Sequence, residues 1–319
     1  MSNPVQPFLE KQGVLILDGG LATQLEARGA DLHDPLWSAK LLLENPALIR
    51  QIHLDYFWAG ADCAITASYQ ATIPGFKRRG LTEAQAVELL KLPVKLAWEA
   101  REEFWAVTGL QGGRLPPLIA ASIGPYGAYL ANGAEYTGDY DLDETGLVDF
   151  HRQRWHILAE TAADLLACET IPSLTEAKAL AQLLRETPDS WAWFAFSCRD
   201  GRSISDGTPI TECAALLEDI EQVVAVGINC TPPRYIPELI SELFAVTQKP
   251  IIVYPNSGEY YDAVAKRWQG LSIPAEFGTH SREWRKASVI FRRLPELKRR
   301  VEELEARLAE LARERSRSD

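Results

Sequence analysis

Residues 163–176 read Ala-Asp-Leu-Leu-Ala-Cys-Glu-Thr-Ile-Pro-Ser-Leu-Thr-Glu. The apolar run 165–168 suits a strand buried on both faces, Glu169-Thr170 interrupts it with polar groups, and Ser173 to Glu176 has the spacing of a helix capping box. The stretch therefore predicts a strand, a polar turn and a helix continuing to about residue 184. Further apolar runs occur at 14–17, 63–66, 118–121, 191–196, 223–228 and 251–254. Helical patterns lie between them. Residues 46–58 follow Asn45, a cap residue type, and 233–246 place Ile236, Leu239, Ile240 and Leu243 on one face. Residues 82–107 are helical too, with Pro93 expected to kink or divide them.

Strands that alternate with helical crossovers run parallel, and seven such units predict an α/β fold, a (β/α)8 TIM-type barrel with an extended C-terminal helix. An open doubly wound sheet is the alternative, but no G-x-G-x-x-G follows the first strand. The closing strand is expected at 288–291. Residues 1–295 then form the barrel and 296–319 a charged amphipathic helix. Leu297, Val301, Leu304, Leu308 and Leu311 form a short heptad seam. Docking of this helix on the barrel is preferred to a dimer coil, because sustained coiled coils need more repeats. A monomer or homodimer is expected.

The 319 residues carry a net charge of −11, which disfavours nucleic acid and anionic membrane surfaces as partners. The start of the chain does not read as a secretory signal, and no apolar stretch reaches the roughly 18 residues of a membrane span. A cytoplasmic location is expected. Cysteines at 63, 168, 198, 213 and 230 are odd in number and scattered, unlike a disulfide framework.

In a barrel the chemistry gathers where the strands end. Those ends carry Asp18-Gly19-Gly20, Thr66-Ala67-Ser68-Tyr69-Gln70, Ser122-Ile123-Gly124, Cys168-Glu169-Thr170, Asn229-Cys230 and Tyr254-Pro255-Asn256. Each has an ordinary structural explanation: Asp18 as a helix cap, the glycines as a turn, Cys230 as a small buried residue. Glu169 is harder to explain so, because a carboxylate at that depth needs a partner. No lysine or histidine sits at these ends, which disfavours Schiff-base and histidine-base chemistry.

The segments DGGLATQLEARG, ITASYQAT, ASIGPYGAYLANGAEYTGDY, ADLLACETIPS, SDGTP, VGINCTPP and YPNSGEYYD together resemble the signature segments of the homocysteine S-methyltransferases, in particular the branch using S-methylmethionine or S-adenosylmethionine. The resemblance implies a barrel in which zinc holds the sulfur of homocysteine. It implies Cys230 as a zinc thiolate and catalytic residue, and Asp18 and Glu169 as ligands of the substrate amino group, with the Gly19-Gly20 backbone nearby. Thr66, Ser68 and Gln70 would line the pocket, and Asn229 and Asn256 would shape it. The partners are then homocysteine and a methylsulfonium donor, whose cation would suit Tyr126, Tyr129 or Tyr136.

The family supplies two more zinc thiolates in a Gly-Gly-Cys-Cys-Arg segment. This chain reads Trp284-Arg285-Lys286-Ala287-Ser288-Val289-Ile290-Phe291-Arg292 there, with no cysteine beyond 230. One thiolate cannot replace the three protein ligands of a catalytic zinc, and His280 is expected to face solvent. Three outcomes stay open: a homocysteine methyltransferase in the service of methionine biosynthesis, an impaired relative that binds a homocysteine-like amino acid, and an interaction protein using its terminal helix.

Overall fold

The computed structural model describes residues 2–32, 34, 36–256, 260–262, 267–269, 279–280 and 282–284. Six strands, β1 (Cys63–Ile65), β2 (Leu118–Ile123), β3 (Leu165–Ile171), β4 (Ala192–Phe196), β5 (Val223–Asn229) and β6 (Ile251–Tyr254), form one curled sheet in chain order, every pair parallel. The run at 14–17 lies beside β1 with one parallel bridge, Leu17 to Cys63, and is not a full strand. Strands β7 (Tyr260–Asp262) and β8 (Arg267–Gln269) form a separate antiparallel pair. The strand expected at 288–291 and the terminal heptad helix lie outside the described residues. Among the described residues no helix is long and apolar enough to cross a membrane.

Both faces of the sheet are apolar, as buried parallel strands require. Ile119, Ala121, Leu166, Cys168, Phe194, Phe196, Val226 and Ile228 pack in one cluster with the helices. Leu118, Ala120, Leu165, Ala167, Trp193 and Ala195 form a second cluster, joined by Val5 and Phe8 of the N-terminal segment. The helix Gln6–Gln12, which carries Phe8, thus seats against the face opposite the other helices.

Local signals account for the helix boundaries. Asn45 caps Pro46–Ala59 by accepting from the Leu48 N–H, and Thr82 forms a full capping box with Gln85. Pro93 does not divide its helix, which runs unbroken from Glu83 to Thr108 with Pro93 buried. Ser173 caps Leu174–Glu186 through the Glu176 N–H. The reciprocal half of that box does not form, because the Glu176 side chain turns to Tyr126, Tyr140 and His151 instead. Residues 233–246 divide into a 3-10 turn, Pro233–Tyr235, and the helix Ile236–Phe244.

Gly227 sets the approach of β5 and β6. A Cβ there would lie 1.7 Å from the Ile252 carbonyl oxygen, so only glycine fits.

Candidate active site

Side chains alternate between the faces of a strand, so the inward face can be followed residue by residue. It runs Leu118, Ala120, Ser122 on β2, Leu165, Ala167, Glu169 on β3, and Ile252, Tyr254 on β6. In each strand the last inward position turns polar. These three ends meet: the hydroxyls of Ser122 and Tyr254 both bond the Glu169 carboxylate. Tyr254 in turn accepts from Trp193 Nε1 at 3.1 Å. Glu169 is 8% exposed, and burial pushes its pKa up to about 7 despite those two hydroxyls.

Asp18 arrives from the neighbouring edge. Its N–H donates to the Cys63 carbonyl at 2.9 Å and its Oδ2 accepts from the Ile65 N–H at 2.9 Å. It caps no helix: Leu21–Ala27 begins at Gly20 without a side-chain cap. Burial raises the Asp18 pKa well above the carboxylate range, against the pull of the Ile65 N–H, and the charge of Glu169 adds to the rise. Gly19 leaves room for Tyr56, whose hydroxyl would lie 2.7 Å from an added Cβ and donates to the Gly20 carbonyl at 3.3 Å.

Cys230 follows β5. Its sulfur receives Thr170 Oγ1 at 3.5 Å and Asn229 Nδ2 at 3.4 Å. Asn229 also accepts from the Thr170 N–H at 2.7 Å and donates to Thr170 Oγ1 at 2.8 Å. β4 lies between these strands, and neighbouring strands stand about 4.8 Å apart. The direct bond therefore needs the ends of β3 and β5 to curl toward one another. Burial pushes the Cys230 thiol up to about 12, and the charges of Glu169 and Glu135 act in the same direction. Asp18, Glu169 and Cys230 thus share one electrostatic neighbourhood. Two buried carboxyls placed near one another each oppose the other's ionisation.

The remaining expected residues divide between this centre and its supports. Thr66 Oγ1 lies 2.8 Å from Ser68 Oγ and accepts from the Ser122 N–H, while Ser68 donates to the Ser122 carbonyl at 2.7 Å. These two buried hydroxyls hold the strand end that presents Ser122 to Glu169. Gln70 donates to the Ala128 carbonyl and so fixes the short helix Tyr126–Leu130 that follows β2. Asn256 is tied to the site through its backbone, which donates to the Thr231 carbonyl at 3.1 Å. Tyr126 packs among Tyr129, Tyr140 and Phe150, and Arg78 covers the Tyr129 ring at 4.5 Å. The face of Tyr129 is therefore already taken by a cation of the chain itself.

Residues 15–290 match the family described as Homocysteine S-methyltransferase. The homocysteine S-methyltransferase of Bacillus subtilis (strain 168) is 55% identical over 282 residues, covering 88% of this chain and 90% of that protein. The chain belongs to the homocysteine S-methyltransferase family. The solved structure of the homocysteine methyltransferase of Escherichia coli in its oxidized form superposes with a TM-score of 0.77 at 52% identity, covering 81% of this chain and 87% of that one. Its metallated form gives 0.76 at 52% identity, covering 80% and 88%.

Zinc, the metal that resemblance to the homocysteine S-methyltransferases implies, does not fit the described residues. None of them form a group of three or more His, Cys, Asp or Glu able to hold an ion. Cys230 stands apart from the other thiols. Cys63 lies in the inward cluster, and Cys168, Cys198 and Cys213 lie in the cluster that packs against the helices. His280 is exposed, stacked on Trp284 and near Glu283.

Four residues of this neighbourhood have no role assigned by the sequence. Ser122, Thr170 and Tyr254 were visible at strand ends, and only the two-residue period along the inward face distinguishes Ser122 and Tyr254 as partners of Glu169. His53 gave no signal at all. It sits on the helix Pro46–Ala59, wholly buried, with Nδ1 4.0 Å from Asp18 Oδ2. Burial lowers its pKa to about 4, so it is neutral beside Asp18.

Proposed function

We propose that this chain is an enzyme that transfers a methyl group from a sulfonium, S-methylmethionine or S-adenosylmethionine, to the sulfur of homocysteine, giving methionine. The observation that carries the reading is the convergence of Asp18, Glu169 and Cys230. The ammonium group of homocysteine pairs with Asp18 and Glu169, which ionise as it binds. Ser122, Tyr254 and the Ile65 N–H hold the two carboxylates in place. The substrate sulfur extends toward Cys230, with the Gly19-Gly20 backbone alongside and Thr66, Ser68, Gln70, Asn229 and Asn256 fixing the walls.

The reaction is a displacement at carbon. The homocysteine thiolate attacks the methyl carbon, the carbon–sulfur bond of the sulfonium breaks, and its electron pair stays on the departing thioether. An anion and a cation become two neutral thioethers, and excluding water strengthens their attraction. Holding the two sulfurs in line contributes on the order of 7–11 kcal/mol. No step is assigned to zinc, for which the described residues supply one thiolate where three protein ligands are needed.

That lone thiolate favours a second reading, a barrel that binds a homocysteine-like amino acid without turnover. Methionine formation from homocysteine and S-methylmethionine, measured with bound metal per chain, separates the two. Turnover that Glu169→Gln abolishes supports the enzyme. Homocysteine binding without methionine supports the second reading, and no binding of either substrate defeats both.

The curled sheet, its chain-order parallel pairing and the Leu17 bridge at its open edge support closure into a (β/α)8 barrel over residues 1–295; for 296–319 the heptad spacing from Leu297 to Leu311 supports an appended helix. Five free thiols suit a reducing cytoplasm.

A further inference from the structure

Glu135 belongs to no element that the reaction scheme above uses. It lies in the 3-10 turn Ala134–Tyr136, and one of its carboxylate oxygens, Oε2, is buried without a hydrogen-bond partner. Among the described residues no cation pairs with it. A buried carboxylate oxygen costs free energy unless water or a ligand reaches it, so Oε2 is available to a cationic ligand.

Its position is built. Ser197 Oγ donates to the Glu135 carbonyl at 3.0 Å. Behind it, Gly127 admits the turn so closely that a Cβ there would lie 2.4 Å from the Glu135 nitrogen and 2.6 Å from the Ala134 carbonyl carbon. The turn is thus clamped between the helix Tyr126–Leu130 and the end of β4.

The surroundings are aromatic and electron-rich. The charge of Glu135 raises the pKa of both Cys230 and Tyr69, the latter a tyrosine bonded to Thr170. Ser197, which holds the Glu135 carbonyl, donates its own N–H to the Ile171 carbonyl at 3.3 Å, and the adjoining Thr170 bonds the Cys230 sulfur. Glu135 therefore stands on the Cys230 side of the site.

We propose that Glu135 is a specificity-determining residue that recognises the positive charge on the sulfur of the methyl donor, with its free Oε2 facing that charge. The proposal rests on the methyl-transfer reading and adds the residue that distinguishes a sulfonium from the thioether left after transfer. The donor binds as a cation and leaves as a neutral thioether, so Glu135 favours the substrate over its product and promotes exchange.

Calorimetry with matched ligand pairs tests this. S-methylmethionine and methionine differ at sulfur by one methyl and one charge, as do S-adenosylmethionine and S-adenosylhomocysteine. The wild-type protein is expected to bind one sulfonium at least about tenfold more tightly than its neutral partner, and that pair identifies the donor. Glu135→Gln, nearly isosteric, is expected to bring the ratio close to one while homocysteine affinity stays within about twofold. Glu135→Asp, which keeps the charge, is expected to retain part of the preference. An unchanged ratio in Glu135→Gln overturns the proposal alone. Equal weakening of all ligands assigns Glu135 to the fold or the ammonium group and also overturns it. Wild-type protein that binds neither homocysteine nor a sulfonium overturns the methyl-transfer reading and this proposal together.

Discussion

Thr170 donates its hydroxyl to the sulfur of Cys230 at 3.5 Å, and both residues hold left-handed backbones, with φ of 59° and 46°. Neither is glycine, so each conformation costs on the order of 1 kcal/mol or more. Such strain persists only where the surroundings impose it. Here Asn229 does so, gripping the Thr170 N–H and hydroxyl from the far side of β4.

Asn229→Ala removes that grip and three hydrogen bonds. Urea unfolding is expected to show a loss of about 2–4 kcal/mol, with Asn229→Asp retaining the bond to the Thr170 N–H and losing less. A loss under about 1 kcal/mol in the alanine variant would show that the strand ends hold the strain unaided.

Glu169 makes the free protein less stable as pH rises. Its pKa is about 7 in the fold against 4.5 for the ordinary group, so the fold prefers the neutral form. The contribution is full below pH 4.5, declines through the interval and is lost above 7, about 3 kcal/mol in all. Melting of wild type and Glu169→Gln between pH 5 and 8 (about the accessible range) is expected to diverge in favour of the glutamine form as pH rises. Parallel curves would refute the assignment.

His53 acts in the opposite direction. Its pKa falls from 6.5 to about 4, so the unfolded chain takes up the proton first, and stability is lost as pH falls through that window. His53→Phe is expected to melt above wild type near pH 5 (roughly mid-window), because both ring nitrogens are buried without partners. A variant that melts lower at that pH would mean the imidazole holds a partner worth more than its burial costs.

Glu176 is fully buried and joins His151, Tyr140 and the Tyr126 N–H. Nearby Arg154 is buried as well, bonded to His151 and the Gly124 carbonyl. Glu176→Gln leaves that guanidinium without its counter-charge, and a loss of about 3–5 kcal/mol in urea unfolding is expected. A change below about 1 kcal/mol would place the compensating charge elsewhere.

Gly227→Ala forces a methyl group onto a backbone oxygen that cannot move without parting β5 from β6. Little soluble protein is expected. Recovery of a normally melting variant would show that the two strands are not held as close as described.

The strand–helix alternation was legible because apolar runs and caps are local signals, and β2 to β6 fall where the runs predicted them. The first run was overstated. Gly13 and the Asp18-Gly19-Gly20 turn leave room for a bridge at Leu17 and little more. Pro93 does not divide its helix, because a proline costs a helix one donor and packing can compensate for it. Of the site, Asp18, Glu169 and Cys230 could be found as polar residues at strand ends. The uses of Ser68 and Gln70 could not, since their hydrogen bonds run to carbonyls 54 and 58 residues away. Glu176 was read as half of a local capping box, and three distant partners claim it instead.

The short helix Gln6–Gln12 has a practical consequence. Phe8, with Val5 just before it, is the plug in the floor of the sheet, against Leu118, Leu165 and Trp193. A recombinant version begun a dozen residues late would keep every proposed site residue and still leave a greasy hole on that face of the sheet. Such a protein would sell itself as a clumping, short-lived preparation long before anyone measured methionine.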